Sequence, residues 1–210
     1  MQPSNKPKYF IKRFVVGPMA ENCYLAADPA TREVCLIDPG ADGSVIKNFI
    51  TKNRLDLKFI INTHGHGDHI ACNAFFGVPV YIHRLDMEFL TNAKLNLSSS
   101  FFFKITSPKA SRLLEDDDSI LLGSLKFEVM HTPGHTPGSI SLKLGNAAFT
   151  GDTLFKDGVG RTDFEYGDQD ALFRSIRDKL LTLKDDVIIY PGHGDPSTIG
   201  EERRTNPFLT

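Results

Sequence analysis

The chain has 210 residues, 40% of them hydrophobic, which is enough for one sizeable core without disulfides or oligomer support. Its 24 basic and 26 acidic residues leave a formal net charge of −2, so the chain lacks the basic surplus of a nucleic-acid-binding protein. We therefore expect a single globular domain over residues 1–210, with halves of roughly 1–105 and 106–210 and no nucleic-acid partner.

Cysteine usage and hydropathy predict the cellular location. Cys23, Cys35 and Cys72 form neither a Cys-x-x-Cys pair nor an even-numbered framework, which is typical of a reducing compartment. Residues 1–14 lack an apolar stretch long enough for a signal peptide, and no 18-residue apolar run occurs in the sequence. We expect a cytoplasmic protein with no membrane partner, and the oligomeric state stays open.

The first half alternates short apolar runs with turn residues, beginning with Gly17-Pro18 and Asp28-Pro29. Strands are predicted over 9–16, 22–27, 33–37, 57–62 and 78–82. Helices are predicted over 70–76 and 85–92, and after a cap at Asp42 or Ser44. This last helix buries Val45, Ile46, Phe49 and Ile50.

The second half repeats this order of elements after a stretch that we interpret as a linker, residues 93–118. Within it, the phenylalanines at 101–103 are expected to pack in the core, with a lid as the alternative, and residues 115–118 to form a solvated turn. Strands follow at 119–122, 125–131, 139–144, 147–150 and 187–190. The helix before the last strand has Leu172, Phe173, Ile176, Leu180 and Leu181 on one face. Two such halves predict an α/β fold of four layers, an αββα sandwich of two mixed sheets flanked by helices.

A histidine-rich segment follows the strand predicted at 57–62 directly. It reads Thr-His-Gly-His-Gly-Asp-His over residues 63–69. Side chains two apart in an extended segment point the same way, so His64 and His66 can offer two imidazoles to one metal ion. Asp68 and His69 begin the next helix, where the change of period directs them toward a second position. One loop thus supplies ligands for two ions.

Three later residues occupy equivalent places. His135, Asp152 and His193 each lie in a glycine-rich loop just after a predicted strand. The strand ends of sheet proteins are common places for functional sites. Five histidines and two aspartates in four such loops therefore predict a metal centre rather than a chance grouping.

These residues resemble those of the metallo-β-lactamase fold superfamily, whose pattern is His-x-His-x-Asp-His, a later His, a Gly-Asp pair and a final His. The resemblance implies that one metal is bound by His64, His66 and His135 and a second by Asp68, His69 and His193. It implies that Asp152 bridges the two, and it places Asp68 and Asp152 among the catalytic residues. The expected cofactors are two divalent ions, most simply zinc, with iron or manganese as alternatives.

A longer match narrows the resemblance. Gly-Asp-Thr-Leu-Phe at 151–155, Gly-Val-Gly-Arg-Thr-Asp-Phe at 158–164 and the tail 190–209 resemble short bacterial glyoxalase II-like hydrolases. Two divalent ions lower the pKa of a shared water toward about 7, so the resemblance implies a metal-bound hydroxide that attacks a thioester carbonyl. The expected substrate is a small thioester such as S-lactoylglutathione. Arg161 is expected to meet a substrate carboxylate, with an ion pair to Asp163 as the alternative reading.

Other functions remain open at this point. Iron-dependent persulfide dioxygenases are similar in the Gly-Arg-Thr-Asp-Phe loop, and a non-catalytic metal-binding module is a third class. Full-length glyoxalase II enzymes carry a C-terminal helical segment that completes the glutathione pocket, whereas 17 residues follow His193, so recognition of glutathione is open. Two histidines lie outside the predicted centre. His131 is expected either to orient a ligand or to bond backbone, and His83 to be a surface or capping residue.

Overall fold

A computed structural model describes residues 9–101 and 104–209, and its first six strands form one mixed sheet in chain order. The strands are β1 (Phe10–Val16), β2 (Glu21–Ala27), β3 (Glu33–Ile37), β4 (Asp56–Ile61), β5 (Val80–His83) and β6 (Arg112–Leu114). The pairs β1–β2 and β2–β3 are antiparallel, and the remaining pairs are parallel. A parallel pair needs a crossover, which helix α1 (Gly43–Lys52) supplies between β3 and β4.

The second sheet has the strand order β14-β13-β10-β9-β8-β7. Its strands are β7 (Ser119–Leu122), β8 (Leu125–His131), β9 (Ile140–Leu144), β10 (Ala147–Gly151), β13 (Ile188–Pro191) and β14 (Ser197–Thr198). A hairpin of β11 (Leu154–Phe155) and β12 (Gly158–Val159) stands apart. The pair β10–β13 is parallel, and its crossover includes helix α4 (Gln169–Ser175) with a π-helical continuation over Ile176–Leu180. Helix α5 (Ile199–Thr205) ends the described chain.

Three apolar layers hold the sheets and helices together. The central layer lies between the sheets and includes Tyr24, Phe127 and Phe149. A second layer joins the first sheet to α1, and a third joins the second sheet to α4 and α5. Every residue of β2 is buried, because alternate side chains face the other sheet and the helical side. The predicted αββα sandwich is confirmed.

The structure corrects several predicted elements near the first ligand loop. The helix expected at 70–76 is two single turns, α2 (Gly67–Ile70) and α3 (Asn73–Phe76). The helix expected at 85–92 is a 3₁₀ helix over Arg84–Leu90. The supposed linker contains β6 and a 3₁₀ turn at Ser98–Phe101. β6 has three residues and exists through its parallel pairing with β5, which the sequence pattern does not reveal.

Other local expectations have mixed outcomes. Asp42 occupies the N-cap of α1, but its side chain accepts a hydrogen bond from the Gly17 amide instead of capping the helix. The acidic run 115–118 is a mostly exposed turn, in which Asp116 also pairs with Lys179. Phe102 and Phe103 lie outside the described residues, so the choice between core packing and a lid stays a prediction. Among the described residues, no helix is long and apolar enough to cross a membrane.

Candidate metal centre

The four predicted ligand loops lie at one edge of the sandwich. Each follows the carboxyl end of a strand, namely β4, β8, β10 or β13. Because β10 and β13 are parallel neighbours, Asp152 and His193 leave the second sheet side by side. The loop after β4 meets them from the first sheet. The structure thus brings together all seven residues that the sequence predicts as ligands.

His64, His66 and His135 form the first donor group, which we call the three-histidine cluster. The Nδ1 atom of His66 lies 3.1 Å from Nε2 of His64 and 2.8 Å from Nε2 of His135. All three side chains are buried. Three imidazole nitrogens that converge in this way could hold one divalent ion.

Asp68, His69 and His193 form the second donor group, the mixed cluster. Oδ2 of Asp68 lies 3.7 Å from Nε2 of His69 and 3.3 Å from Nε2 of His193. His69 is fully buried, whereas 27% of the His193 side chain and 18% of the Asp68 side chain are exposed. This group combines nitrogen with carboxylate oxygen and faces solvent on one side.

Asp152 lies between the two clusters. Its Oδ2 atom is 3.6 Å from Nε2 of His135 and 3.7 Å from Nε2 of His193. Its Oδ1 atom is 3.5 Å from Nε2 of His69. The carboxylate therefore reaches both donor groups, as the predicted bridging role requires.

Hydrogen bonds away from the centre fix the tautomers of His64 and His69. The Thr63 hydroxyl donates to Asp38 Oδ2 at 2.6 Å, so Thr63 Oγ1 is an acceptor toward Nδ1 of His64 at 3.2 Å. His69 donates from Nδ1 to Asp38 Oδ2 at 3.1 Å. When either ring is neutral, Nδ1 therefore carries its proton and Nε2 offers a lone pair to the centre.

His135 and His193 are oriented by backbone carbonyls. Nδ1 of His135 donates to the Arg161 carbonyl oxygen at 2.8 Å, and Nδ1 of His193 donates to the Met19 carbonyl oxygen at 3.2 Å. Their Nε2 atoms are thus free to bind a metal. Since ligating histidines characteristically donate their second nitrogen in this way, the surroundings suit a metal centre.

Unpartnered buried atoms test whether the site fits metal ions. His69 Nε2 and Asp152 Oδ1 are buried and have no hydrogen-bond partner among the described residues, and both point into the centre. An unpaired buried polar atom costs about 1–3 kcal/mol, more when the group is charged. Divalent cations coordinated by these atoms would remove that cost. The nitrogen and oxygen donors suit zinc, iron or manganese, so the residues fit the expected cofactors.

The two clusters differ in protonation when no metal is bound. Burial lowers the pKa values of His64, His66 and His135 below the ordinary histidine value. Burial also opposes the charge of His69, but Asp152 and Asp68 raise the pKa of its imidazole well above that value. The three-histidine cluster is therefore neutral. The mixed cluster combines a positively charged imidazolium with a negatively charged carboxylate.

Sequence reasoning missed two buried aspartates that brace the ligand loops. Asp38 follows β3 and holds Thr63 and His69, and its place after a strand, before Pro39-Gly40, is the same signal that identified the ligands. Asp86 has no such signal. It accepts hydrogen bonds from the Gly65 and Gly138 amides and from the Thr136 hydroxyl, and burial raises its pKa to about 6.

Glu21 is a third missed acid, close to the mixed cluster. Its carboxyl group lies 3.8 Å from Nδ1 of His69, and both of its oxygens are buried without a hydrogen-bond partner in the described chain. Burial raises its pKa well above the ordinary glutamate value. The sequence around it offers no signal for this position.

Two glycines allow close packing at the centre, Gly65 against Phe89 and Gly192 against the ligands Asp152 and His69. A Cβ atom on Gly65 would lie 2.3 Å from the Phe89 Cβ atom. A Cβ atom on Gly192 would lie 2.1 Å from Asp152 Oδ1 and 2.8 Å from His69 Cε1. Since real Cβ atoms do not approach so closely, both positions require glycine.

The remaining sequence candidates lie outside the donor groups. Arg161 is exposed, pairs with Asp163 at 2.8 Å and lies over the Phe164 ring at 5.0 Å, so the ion-pair reading is realised. His131 bonds backbone, with Nε2 2.9 Å from the Pro137 carbonyl oxygen. His83 is buried, so the surface reading is wrong, and its Nδ1 accepts from the Leu85 amide as a cap.

The sequence is similar to those of two enzymes with assigned activities. The chain is 40% identical over 202 residues to hydroxyacylglutathione hydrolase GloC of Haemophilus influenzae, covering 92% of this chain and 95% of the relative. It is 36% identical over 198 residues to the mitochondrial persulfide dioxygenase ETHE1 of Homo sapiens, covering 89% and 70%.

Structural similarity extends over almost the whole chain. The crystal structure of the BLEG-1 B3 metallo-β-lactamase matches with a TM-score of 0.91 and 37% identity, covering 96% of this chain and 100% of that one. The model of the metallo-beta-lactamase superfamily matches residues 16–193, a span that includes all seven predicted ligands. The chain therefore belongs to the metallo-β-lactamase superfamily.

Proposed function

We propose that this protein is a metal-dependent thioester hydrolase of the glyoxalase II type, acting on S-acylglutathione-like substrates such as S-lactoylglutathione. The observation that carries the proposal is the pair of donor clusters that meet at Asp152, with 3.5 Å and 3.6 Å separating its oxygens from His69 and His135. The 40% identity to a hydroxyacylglutathione hydrolase over nearly the full length of both chains supports it.

The seven ligands would hold two divalent ions, which in such sites supply a hydroxide nucleophile at neutral pH and polarise a carbonyl oxygen. The chain itself orients the donors. Asp38 and the carbonyls of Met19 and Arg161 keep the histidine lone pairs directed inward. Gly65 and Gly192 leave the space that the converging side chains need.

The thiol leaving group needs no strong general acid from the protein. An alkyl thiol has a pKa of about 8.5, so the thiolate leaves without strong acid assistance. Neighbouring His69 and His193 outweigh the effect of burial and lower the pKa of Asp68, which keeps this residue ionised as a ligand. We therefore assign Asp68 to the centre as a ligand and not as a proton donor, and Asp152 as the ligand shared by the two clusters.

Arg161 is the proposed contact for a carboxylate of the substrate. Its guanidinium is exposed and lies at the end of the loop that also orients His135. Asp163 holds the guanidinium in two hydrogen bonds, so a substrate carboxylate would compete with this aspartate. That competition predicts that Asp163→Asn tightens binding of an anionic thioester, seen as a lower KM.

A single-iron persulfide dioxygenase is the second candidate, favoured by the 36% identity to ETHE1. A one-metal site would leave a donor cluster unused. The unpartnered Nε2 of His69 favours two ions instead. We also propose that residues 1–210 form one domain, because both halves supply ligands. We further propose that the enzyme works in the cytoplasm, in keeping with its cysteine usage.

The decisive experiment compares zinc-loaded and iron-loaded protein on two reactions. Hydrolysis of S-lactoylglutathione and related thioesters is followed as release of free thiol, and oxygen uptake is followed with glutathione persulfide. We expect thioester hydrolysis that is lost in His66→Ala and kept in His131→Gln. Absence of hydrolysis on every thioester, with oxygen uptake in the iron form, would establish the dioxygenase instead.

A further inference from the structure

Tyr166 links a predicted ligand to a distant segment of the chain. Its hydroxyl oxygen lies 2.6 Å from Nε2 of His66 and 2.9 Å from the carbonyl oxygen of Leu95. The three residues come from different loops, with 100 positions between His66 and Tyr166. The tyrosine ring packs edge-on against buried Phe89 at 4.9 Å, which fixes the direction of the hydroxyl.

The single hydroxyl proton decides the direction of both hydrogen bonds. A carbonyl oxygen can only accept, so the Tyr166 hydroxyl donates to Leu95. Toward His66 the same oxygen is therefore the acceptor, and Nε2 of His66 carries the proton. The lone pair is then on Nδ1, the atom that faces His64 and His135 at 3.1 Å and 2.8 Å.

His66 thus differs from the other four predicted histidine ligands. Those rings offer Nε2 to the centre and are held by backbone carbonyls, by Thr63 or by Asp38. His66 offers Nδ1, and among the described residues the Tyr166 hydroxyl is the group that receives its other nitrogen. Its orientation therefore depends on one phenol.

The link also joins residues 92–99 to the metal centre. Besides the contact through Leu95, the carbonyl oxygen of Asn96 accepts the Gly67 amide at 2.8 Å. The Asn96 side chain in turn donates to the carbonyls of Phe89 and Ile105. This segment therefore contacts the first ligand loop directly at Gly67 and, through Tyr166, at His66.

We propose that Tyr166 is a positioning residue that sets the tautomer of His66 and couples residues 92–99 to the metal centre. The inference rests on the metal centre of the proposed function but not on its substrate. Outer hydrogen-bond partners of ligating histidines change metal affinity by about 10–100-fold. Loss of the Tyr166 hydroxyl is expected to weaken zinc binding within that range.

The test uses Tyr166→Phe, which keeps the ring packing and removes the hydroxyl. Tyr81→Phe is the matched control, because Tyr81 stacks on Phe59 at 4.8 Å away from the centre. Zinc affinity is measured by competition with a chromophoric chelator. We expect affinity to fall by about 10-fold or more in Tyr166→Phe and to be unchanged in Tyr81→Phe, with equal melting temperatures for the metal-free proteins.

Nitrogen NMR of ¹⁵N-histidine-labelled, metal-free protein gives a second readout that a packing role would not change. His66 is expected to be protonated on Nε2 in wild type and to become a mixture of tautomers in Tyr166→Phe. Zinc affinity within twofold of wild type together with an unchanged His66 tautomer would overturn the proposal. If the wild type bound no zinc, the metal centre would fail while the tautomer measurement would still decide the role of Tyr166.

Discussion

The three-histidine cluster and the mixed cluster share the loop after β4 yet differ in burial and charge. His64, His66 and His135 are 1–5% exposed and neutral, and their donor atoms are 2.8–3.1 Å apart. Asp68 and His193 are partly exposed, and the corresponding distances in their cluster are 3.3–3.7 Å. The first cluster is thus neutral and enclosed, whereas the second places carboxylates beside a charged histidine and is open to solvent.

Removal of a ligand from the three-histidine cluster is the largest expected effect. His66→Ala takes away the nitrogen on which the other two converge. We expect kcat/KM for thioester hydrolysis to fall by about 10³-fold or more, since a metal supplies several kcal/mol of transition-state stabilisation. Elemental analysis should show fewer metal equivalents than in wild type. Activity within tenfold of wild type would contradict the assignment.

Asp86 braces the loops of the three-histidine cluster through hydrogen bonds with Gly65, Thr136 and Gly138. Burial raises its pKa from 3.8 to about 6, so the folded state favours the protonated form. Protonation of Asp86 therefore adds about 3 kcal/mol to the free energy of unfolding at pH values below 3.8, its pKa in the unfolded chain. This stabilisation is lost as the pH rises through about 6.

The measurement is chemical denaturation of metal-free protein between pH 4 and 7. The free energy of unfolding of the wild type should decline with pH relative to Asp86→Asn, which lacks the titrating group. Parallel pH profiles for the two proteins would show that Asp86 keeps an ordinary pKa.

His193→Ala removes a partly exposed ligand from the mixed cluster and leaves the three-histidine cluster whole. We expect kcat/KM to fall by about 10²-fold, less than for His66→Ala, with one metal equivalent retained. His131→Gln is the control, because His131 belongs to neither cluster and bonds the Pro137 carbonyl oxygen. Loss of both equivalents would mean that the clusters do not fill independently.

The two clusters should also differ in the pH at which they release metal, which is the smallest of the expected effects. A histidine binds metal only when it is neutral. Asp68 and Asp152 outweigh burial and raise the pKa values of His193 and His69, so protons compete with metal there at higher pH than at His64 and His66. As pH falls from 7.5, the mixed cluster should release its ion first.

We expect two separate release midpoints, with that of the mixed cluster at the higher pH. Metal content after dialysis across this range measures both midpoints. His193→Ala should show the lower midpoint alone. Release of both ions from the wild type in one step would remove the distinction between the clusters.

The class of fold and the seven predicted ligands can be inferred from the sequence alone. Strands such as Leu125–His131 are visible as apolar runs that alternate with polar residues. The ligands His64, His66, His135, Asp152 and His193 lie in glycine-rich loops after such strands. These signals are local, because both a period of two and a glycine-rich turn are visible within a few residues.

The groups that surround those ligands are known only from the folded chain. Strand β6 depends on pairing with β5, and Asp86 and Tyr166 meet the ligand loops across 21 and 100 positions of sequence. Their own neighbours in the chain carry no pattern, since a hydrogen bond between distant loops leaves no periodic trace. The donor residues were therefore predictable from the sequence, but their tautomers and charges follow from the packing of the two sheets.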